Sequence, residues 1–182
     1  MTNHSITTIP AELPIPADDP TRTLTVVYPD DPAAAHISQA GNVYTILISG
    51  EQTEGRYCLI DMLVPDGGGP PPHRHDFEEM FTLLEGELEF TFRGQTQTLR
   101  APASVNIPAN APHRFANRSG KPAHMLCMCT PAGQEEFFLA IADRIPDRQS
   151  PAPAPDATRQ EEKKAYAEKL APKYRTEFLP RQ

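Results

Sequence analysis

From residue 43 to residue 129 the chain is a succession of short β-branched and aromatic runs, each closed by Gly, Pro or Asn. The runs fall at 43–48, 57–64, 79–84, 88–92, 96–100, 104–107, 113–117 and 123–129. Leu88, Phe90 and Phe92 alternate with polar neighbours, the period of a half-buried strand. Proline, at 21 of 182 positions, gathers in the first 32 residues, ahead of His73 and again over 146–155. A helix-rich core could not absorb that many missing donors and fixed φ angles. Short strands joined by rigid turns can, and their regular spacing predicts an all-β barrel or sandwich.

The flanks differ from this centre. Residues 1–40 read as an extended N-terminal arm with an edge strand at 23–28, closed by Pro29. The β-domain occupies 41–131. Residues 132–182 form a helical extension: a helix over 133–145, with Phe138, Ile141 and Ile145 on one face, a proline-rich linker over 147–158, and a second helix over 159–170. Tyr166 and Leu170 are the apolar anchor expected of that second helix, whose charged face reads as solvated or as a lid over the domain's mouth.

Charge and composition narrow the partners. A formal net charge of −7 with no basic stripe argues against nucleic acid or an anionic membrane surface. No apolar run approaches the length of a membrane span, and residues 1–5 carry no leader pattern. Cys58, Cys127 and Cys129 are an odd count, read as free thiols of a reducing cytoplasm.

The chemistry concentrates in Gly67-Gly68-Gly69-Pro70-Pro71-Pro72-His73-Arg74-His75-Asp76-Phe77-Glu78-Glu79. Two residues apart on a helix, His73 and His75 would diverge. On an unbulged strand His73, His75 and Glu79 share a face, and Glu78 points away. A second segment, Ile107-Pro108-Ala109-Asn110-Ala111-Pro112-His113, launches another strand with His113 at its head. Three imidazoles and a carboxylate suit one divalent transition metal. His4, His36 and His124 read as terminal or loop residues with no part in the site.

These residues resemble the two motifs of the cupin superfamily. The first, G-x5-H-x-H-x3-E-x6-G, is matched in full by Gly67, His73, His75, Glu79 and Gly86. The second, G-x5-P-x-G-x2-H-x3-N, is matched at Pro108, His113 and Asn117, with Pro102 and Asn110 standing where the family has glycine. Asn110 is a mild departure, because Asn also tolerates positive φ. The resemblance implies an antiparallel cupin-type β-barrel (double-stranded β-helix or jelly roll) followed by C-terminal helices. It implies a metal held by His73, His75, Glu79 and His113, drawn from Fe, Mn, Ni, Zn, Cu or Co, and frequent homodimers in which the N-terminal arm could exchange. A weaker resemblance, carried by Glu135-Glu136-Phe137-Phe138 and the tail 171–180, is to bacterial single-domain cupins described as quercetin dioxygenase-like.

Around such a centre, Phe81, Phe90, Phe92 and Phe115 are expected to face inward, with Met62 and Tyr44, as the apolar wall of a small-molecule pocket. Cys127 and Cys129 share a face and read as buried hydrophobes or as thiols lining the same space. Asn117 reads as a turn holder. The sequence thus leads to a metal-dependent oxygenase of dioxygenase type acting on a small oxygenated organic molecule, with Glu79 as the residue able to serve as a base. A non-catalytic binding or sensing module, or a non-redox enzyme such as an isomerase, would use the same residues.

Overall fold

The computed structural model describes residues 14–150 and 157–180; His4, the first part of the N-terminal arm and half of the proline-rich linker lie outside them. Strands are β1 (Ala35–Gln39), β2 (Asn42–Ile48), β3 (Cys58–Val64), β4 (His73–His75), β5 (Glu78–Glu85), β6 (Glu87–Phe92), β7 (Gln95–Arg100), β8 (Ala103–Ile107), β9 (His113–Ala116) and β10 (Ala123–Thr130). Helix α1 (Gln134–Ile141), β11 (Asp143–Arg144), α2 (Ala157–Leu170), a 3-10 turn (Ala171–Tyr174) and β12 (Thr176–Phe178) complete the order. A seven-stranded sheet runs β11-β1-β2-β3-β10-β5-β8, and a five-stranded sheet runs β12-β4-β9-β6-β7. Every pairing between them is antiparallel. The two sheets make a jelly roll rather than a barrel closed by hydrogen bonds.

The core lies between the sheets because the strands alternate. On β10 Ala123, Met125, Cys127 and Cys129 are buried and the residues between them are not. On β6 Leu88 and Phe90 are buried. Phe81, Phe90 and Phe115 pack ring to ring at centroid separations of 5.5 to 5.8 Å. Each such ring is worth roughly 0.5–1.5 kcal/mol beyond its burial when paired this way.

Four expectations need correction. Residues 23–28 form no strand: Leu24, Val26 and Tyr28 are 90%, 62% and 69% exposed. Alternation satisfies a strand's side chains, but a strand also needs a neighbour's backbone, and this segment has none among the described residues. β2 is flanked instead by β1, whose Ala-His-Ile-Ser-Gln composition gives no strong strand signal, with β11 outside it. β1 is joined to β2 by Ala40-Gly41, both at positive φ (51° and 84°), the two-residue hairpin signature. The first helix ends at Ile141, not before Pro146, because Asp143 and Arg144 pair with β1. Tyr166 does not anchor α2; it is 50% exposed, and the buried side chain is Ala167, packed with Ala171 against Phe137 and Ile141. Small residues let α2 approach α1 closely, a contact that hydrophobicity alone does not mark. His36 and His124 are strand residues: His36 bonds Thr45 Oγ1 at 2.9 Å, and His124 bonds Asp61 Oδ2 at 2.6 Å.

The loop between β3 and β4 is fastened by Asn117. Its Nδ2 donates to Val64 O (2.9 Å) and Lys121 O (2.7 Å), and its Oδ1 accepts from Ser119 N (3.1 Å) and Oγ (2.8 Å). Its backbone exchanges two further bonds with Gly67 and Gly68, each 2.8 Å. Gly69 then passes so close to β9 that a Cβ would sit 2.3 Å from Phe115 O. Removing a fully buried side chain with four partners leaves carbonyls unsatisfied. Asn117→Ala should therefore lower the unfolding free energy by about 2–3 kcal/mol in urea titration. A change under about 0.5 kcal/mol would show that the loop is held by other means.

Candidate metal centre

β4 belongs to the five-stranded sheet and β5 to the seven-stranded one, so the chain changes sheets at Asp76-Phe77. Parity along a single strand picks the carboxylate that the structure places beside the histidines, but for a partly wrong reason. His73 and His75 project from one sheet, and Glu79 meets them from the other. His113, opposite His73 in the β4–β9 register, completes the group. The donor atoms of the four lie within 4.8 Å of one another. All are buried, at 7% (His73), 2% (His75), 2% (Glu79) and 3% (His113) exposure.

Each imidazole is oriented by its own backbone neighbourhood. Nδ1 of His73, His75 and His113 faces Pro71 O (2.9 Å), Phe77 O (2.9 Å) and Ala111 O (2.8 Å). A carbonyl only accepts, so each Nδ1 must carry the proton, and a neutral ring presents a lone pair at Nε2. Two of those Nε2 atoms, of His75 and His113, approach Glu79 Oε2 at 3.1 and 3.0 Å. A lone pair facing a carboxylate lone pair requires a cation between them. Protons can serve, making imidazolium; a divalent ion serves all four groups at once. The donor set therefore fits a metal, and the Nδ1 bonds are the outer contacts that fix a metal-binding tautomer.

Without a metal the electrostatics express the same tension. Burial would raise Glu79, but hydrogen bonds from His113 and His75 outweigh it and hold the carboxyl well below its usual range. Burial pulls His113 down, and its bond to Glu79 more than compensates, leaving it raised. His73 has no such bond; burial and the neighbouring His113 lower it to about 4.

Several contributors carry no motif. Phe77 stacks on His75, with ring centroids 3.8 Å apart and planes 2° from parallel. Glu78, correctly expected to point away, bonds Asn106 Nδ2 (3.0 Å) and Ala109 N (3.1 Å), pinning the loop that delivers His113. Asn110 takes φ 67°, as its place in the second motif anticipates, and its N–H donates to His75 O at 2.6 Å. β12 pairs with β4, setting Thr176 opposite His75 and Phe178 opposite His73. The tail thus supplies the strand beside the two histidines, although its sequence shows no strand pattern.

A cavity of about 1760 Å³ opens over the centre, and α1, α2 and the tail form part of its wall. His73, Glu79, Tyr44, Met62, Phe81 and Phe115 line it. Phe90 and Phe92 do not. Phe90 lies in the layer behind Phe81 and Phe115, and Phe92, partly buried, takes the Arg93 guanidinium on its ring at 4.8 Å. Gln134 also lines the cavity, buried, its Oε1 without a partner. Arg114 borders it as well, whereas Arg74 is occupied by Glu177 at 2.6 Å. Cys127 Sγ lies 3.3 Å from Glu79 Oε1.

Residues 60–129 match the family model of the cupin domain. Over 78 residues, 42% of this chain, the sequence is 31% identical to quercetin 2,3-dioxygenase of Bacillus subtilis (strain 168); the match spans 23% of that protein's length. Among solved structures, the fold resembles the polyketide cyclase RemF of Streptomyces resistomycificus, with TM-score 0.52, 23% identity, and 59% of this chain and 80% of that one covered. It resembles a predicted oxalate decarboxylase of Thermotoga maritima with TM-score 0.54, 20% identity, and 59% and 99% covered. At these identities the two structures share the fold. Residues 60–129 thus carry a cupin domain, and the chain shares the fold of these proteins.

Two measurements follow from the centre's geometry. Protein purified without added metal should carry at least one divalent transition ion per chain by plasma emission, and His75→Ala should weaken retention at this centre at least about 10-fold. Equal retention by the variant would remove His75 from the ligand set. In metal-free protein, the His73 ring should stay neutral down to about pH 4 by NMR. Titration near the ordinary ~6.5 would contradict its enclosure.

Proposed function

We propose that this cupin is a metal-dependent oxygenase of dioxygenase type, acting on a small, oxygenated, largely apolar organic molecule. The observation that carries the reading is that three tautomer-fixed imidazoles and one ionised carboxylate converge where His73 and Glu79 meet a cavity with Tyr44, Met62, Phe81 and Phe115 on its wall. His73, His75, Glu79 and His113 would hold the ion, which when bound supplies open positions for a substrate oxygen and for redox chemistry. The likeness to part of a quercetin 2,3-dioxygenase supports the same class.

The chain's own groups divide the remaining work. Phe81, Phe115 and Met62 exclude water from one side of the cavity and favour a flat apolar body. Burial and the nearby Cys127 and Glu79 push the Tyr44 phenol up, so it remains protonated and can donate to a substrate oxygen. Glu79 stays ionised and faces the cavity, which makes it the group to take a proton from a substrate hydroxyl. The expected homodimer is supported by the apolar comb of Leu24, Val26 and Tyr28, which a single chain leaves in solvent.

Oxygen consumption tests the reading. With its native metal, the protein should take up O₂ with members of a panel of flavonols and 1,3-dicarbonyl compounds. Glu79→Gln should reduce the rate by about 10²–10⁴-fold, the usual contribution of a positioned acid–base group. Absence of uptake across the panel, with the metal in place, would move the site to non-redox catalysis or ligand binding.

A further inference from the structure

The Glu79 carboxylate has two faces. Oε2 meets His75 and His113; Oε1 meets a separate group of thiols on β10. Cys127 Sγ is 3.3 Å from Oε1, Cys129 Sγ is 3.8 Å from it, and the two sulfurs are 3.7 Å apart. All three residues are buried, and both cysteines are free.

These separations are the edges of a coordination polyhedron. A tetrahedral ion with metal–sulfur bonds of about 2.3 Å and metal–oxygen bonds of about 2.1 Å spaces two sulfurs about 3.8 Å apart and a sulfur and an oxygen about 3.6 Å apart. The observed S–S separation of 3.7 Å lies close to the first value, and the two S–O separations of 3.3 and 3.8 Å bracket the second. We propose that Glu79 Oε1, Cys127 and Cys129 form a second metal site, selective for a soft d¹⁰ divalent ion such as Zn²⁺ and bridged to the histidine centre through Glu79. Thiolate softness, absent from the histidine site, provides the selectivity.

The chemistry balances. Each thiol gives up its proton to solvent as its sulfur–metal bond forms, because a coordinating thiol is deprotonated outright. Two thiolates neutralise the incoming divalent ion, so filling this site adds no net charge to the interior. Strand geometry supplies the rigidity: residues two apart on β10 present both sulfurs to the same face. Cys58, opposite Cys129 in the β3–β10 register, lies behind the triangle and outside it. Nothing in this arrangement requires the histidine centre to be filled.

Cadmium is the probe, because ¹¹³Cd NMR separates thiolate-bound from nitrogen- and oxygen-bound ions on the wild-type protein itself. At saturation the metal-free chain should bind two Cd²⁺, giving one resonance in the nitrogen–oxygen region and one far downfield. Replacing both thiols, Cys127→Ser with Cys129→Ser, should abolish the downfield resonance and reduce the stoichiometry from two to one. A single nitrogen–oxygen resonance in the wild type, or a downfield signal that survives in the double variant, would overturn the second site. A downfield signal alone would leave the thiol site standing and contradict the histidine centre, so the two readings fail separately.

Discussion

A buried carboxylate confronting two imidazoles whose other nitrogens are already committed is the constraint on which this structure turns. Glu79 at 2% exposure cannot remain ionised without compensation. The compensation it finds, His75 and His113, cannot come from neutral rings, because both Nδ1 protons are held by backbone carbonyls. Folding thus prepares a place for positive charge between the sheets. A divalent ion would answer that demand better than two shared protons, since His73 offers its Nε2 to the same space.

The rest of the fold is arranged to keep this confrontation in register. The crossover at Asp76-Phe77 sets Glu79 on the sheet opposite its partners, and Phe77 clamps His75 by stacking. Glu78 and Asn110 hold the Pro108–Pro112 turn in place, so that β9 begins with His113 opposite His73. Asn117 ties the end of β9 to the glycine loop ahead of β4. β12 covers the outer edge of β4, with an Arg74–Glu177 ion pair on its exposed side. Exposed pairs of that kind stabilise little; the backbone ladder is what matters there.

Much of this was legible from local pattern. Eight short runs between 43 and 129 correspond to β2, β3 and β5–β10, because alternation and turn residues act over a few positions. His73, His75, Glu79 and His113 were singled out by spacing, and the structure brings their donor atoms together. What stayed hidden depends on distant partners. The comb at 23–28 has strand composition and no strand neighbour among the described residues. β1, β11 and β12 have weak composition and do have neighbours. Phe90 and Phe92 have inward parity, but the depth of a residue between two sheets is not written in its alternation, and neither reaches the cavity. The crossover at Asp76-Phe77 likewise leaves no period to read.

Sharing Glu79 between imidazoles and thiols also gives the centre a graded character, hard on one face and soft on the other. The claim beneath all of this is that the four side chains hold one ion. Anomalous diffraction at the metal's absorption edge, on crystals of protein purified without added metal, tests it most directly. One peak should appear within about 2.0–2.3 Å of Nε2 of His73, His75 and His113 and of a Glu79 oxygen. A density map with no such peak, and Glu79 still hydrogen-bonded to His75 and His113 at their present distances, would contradict it.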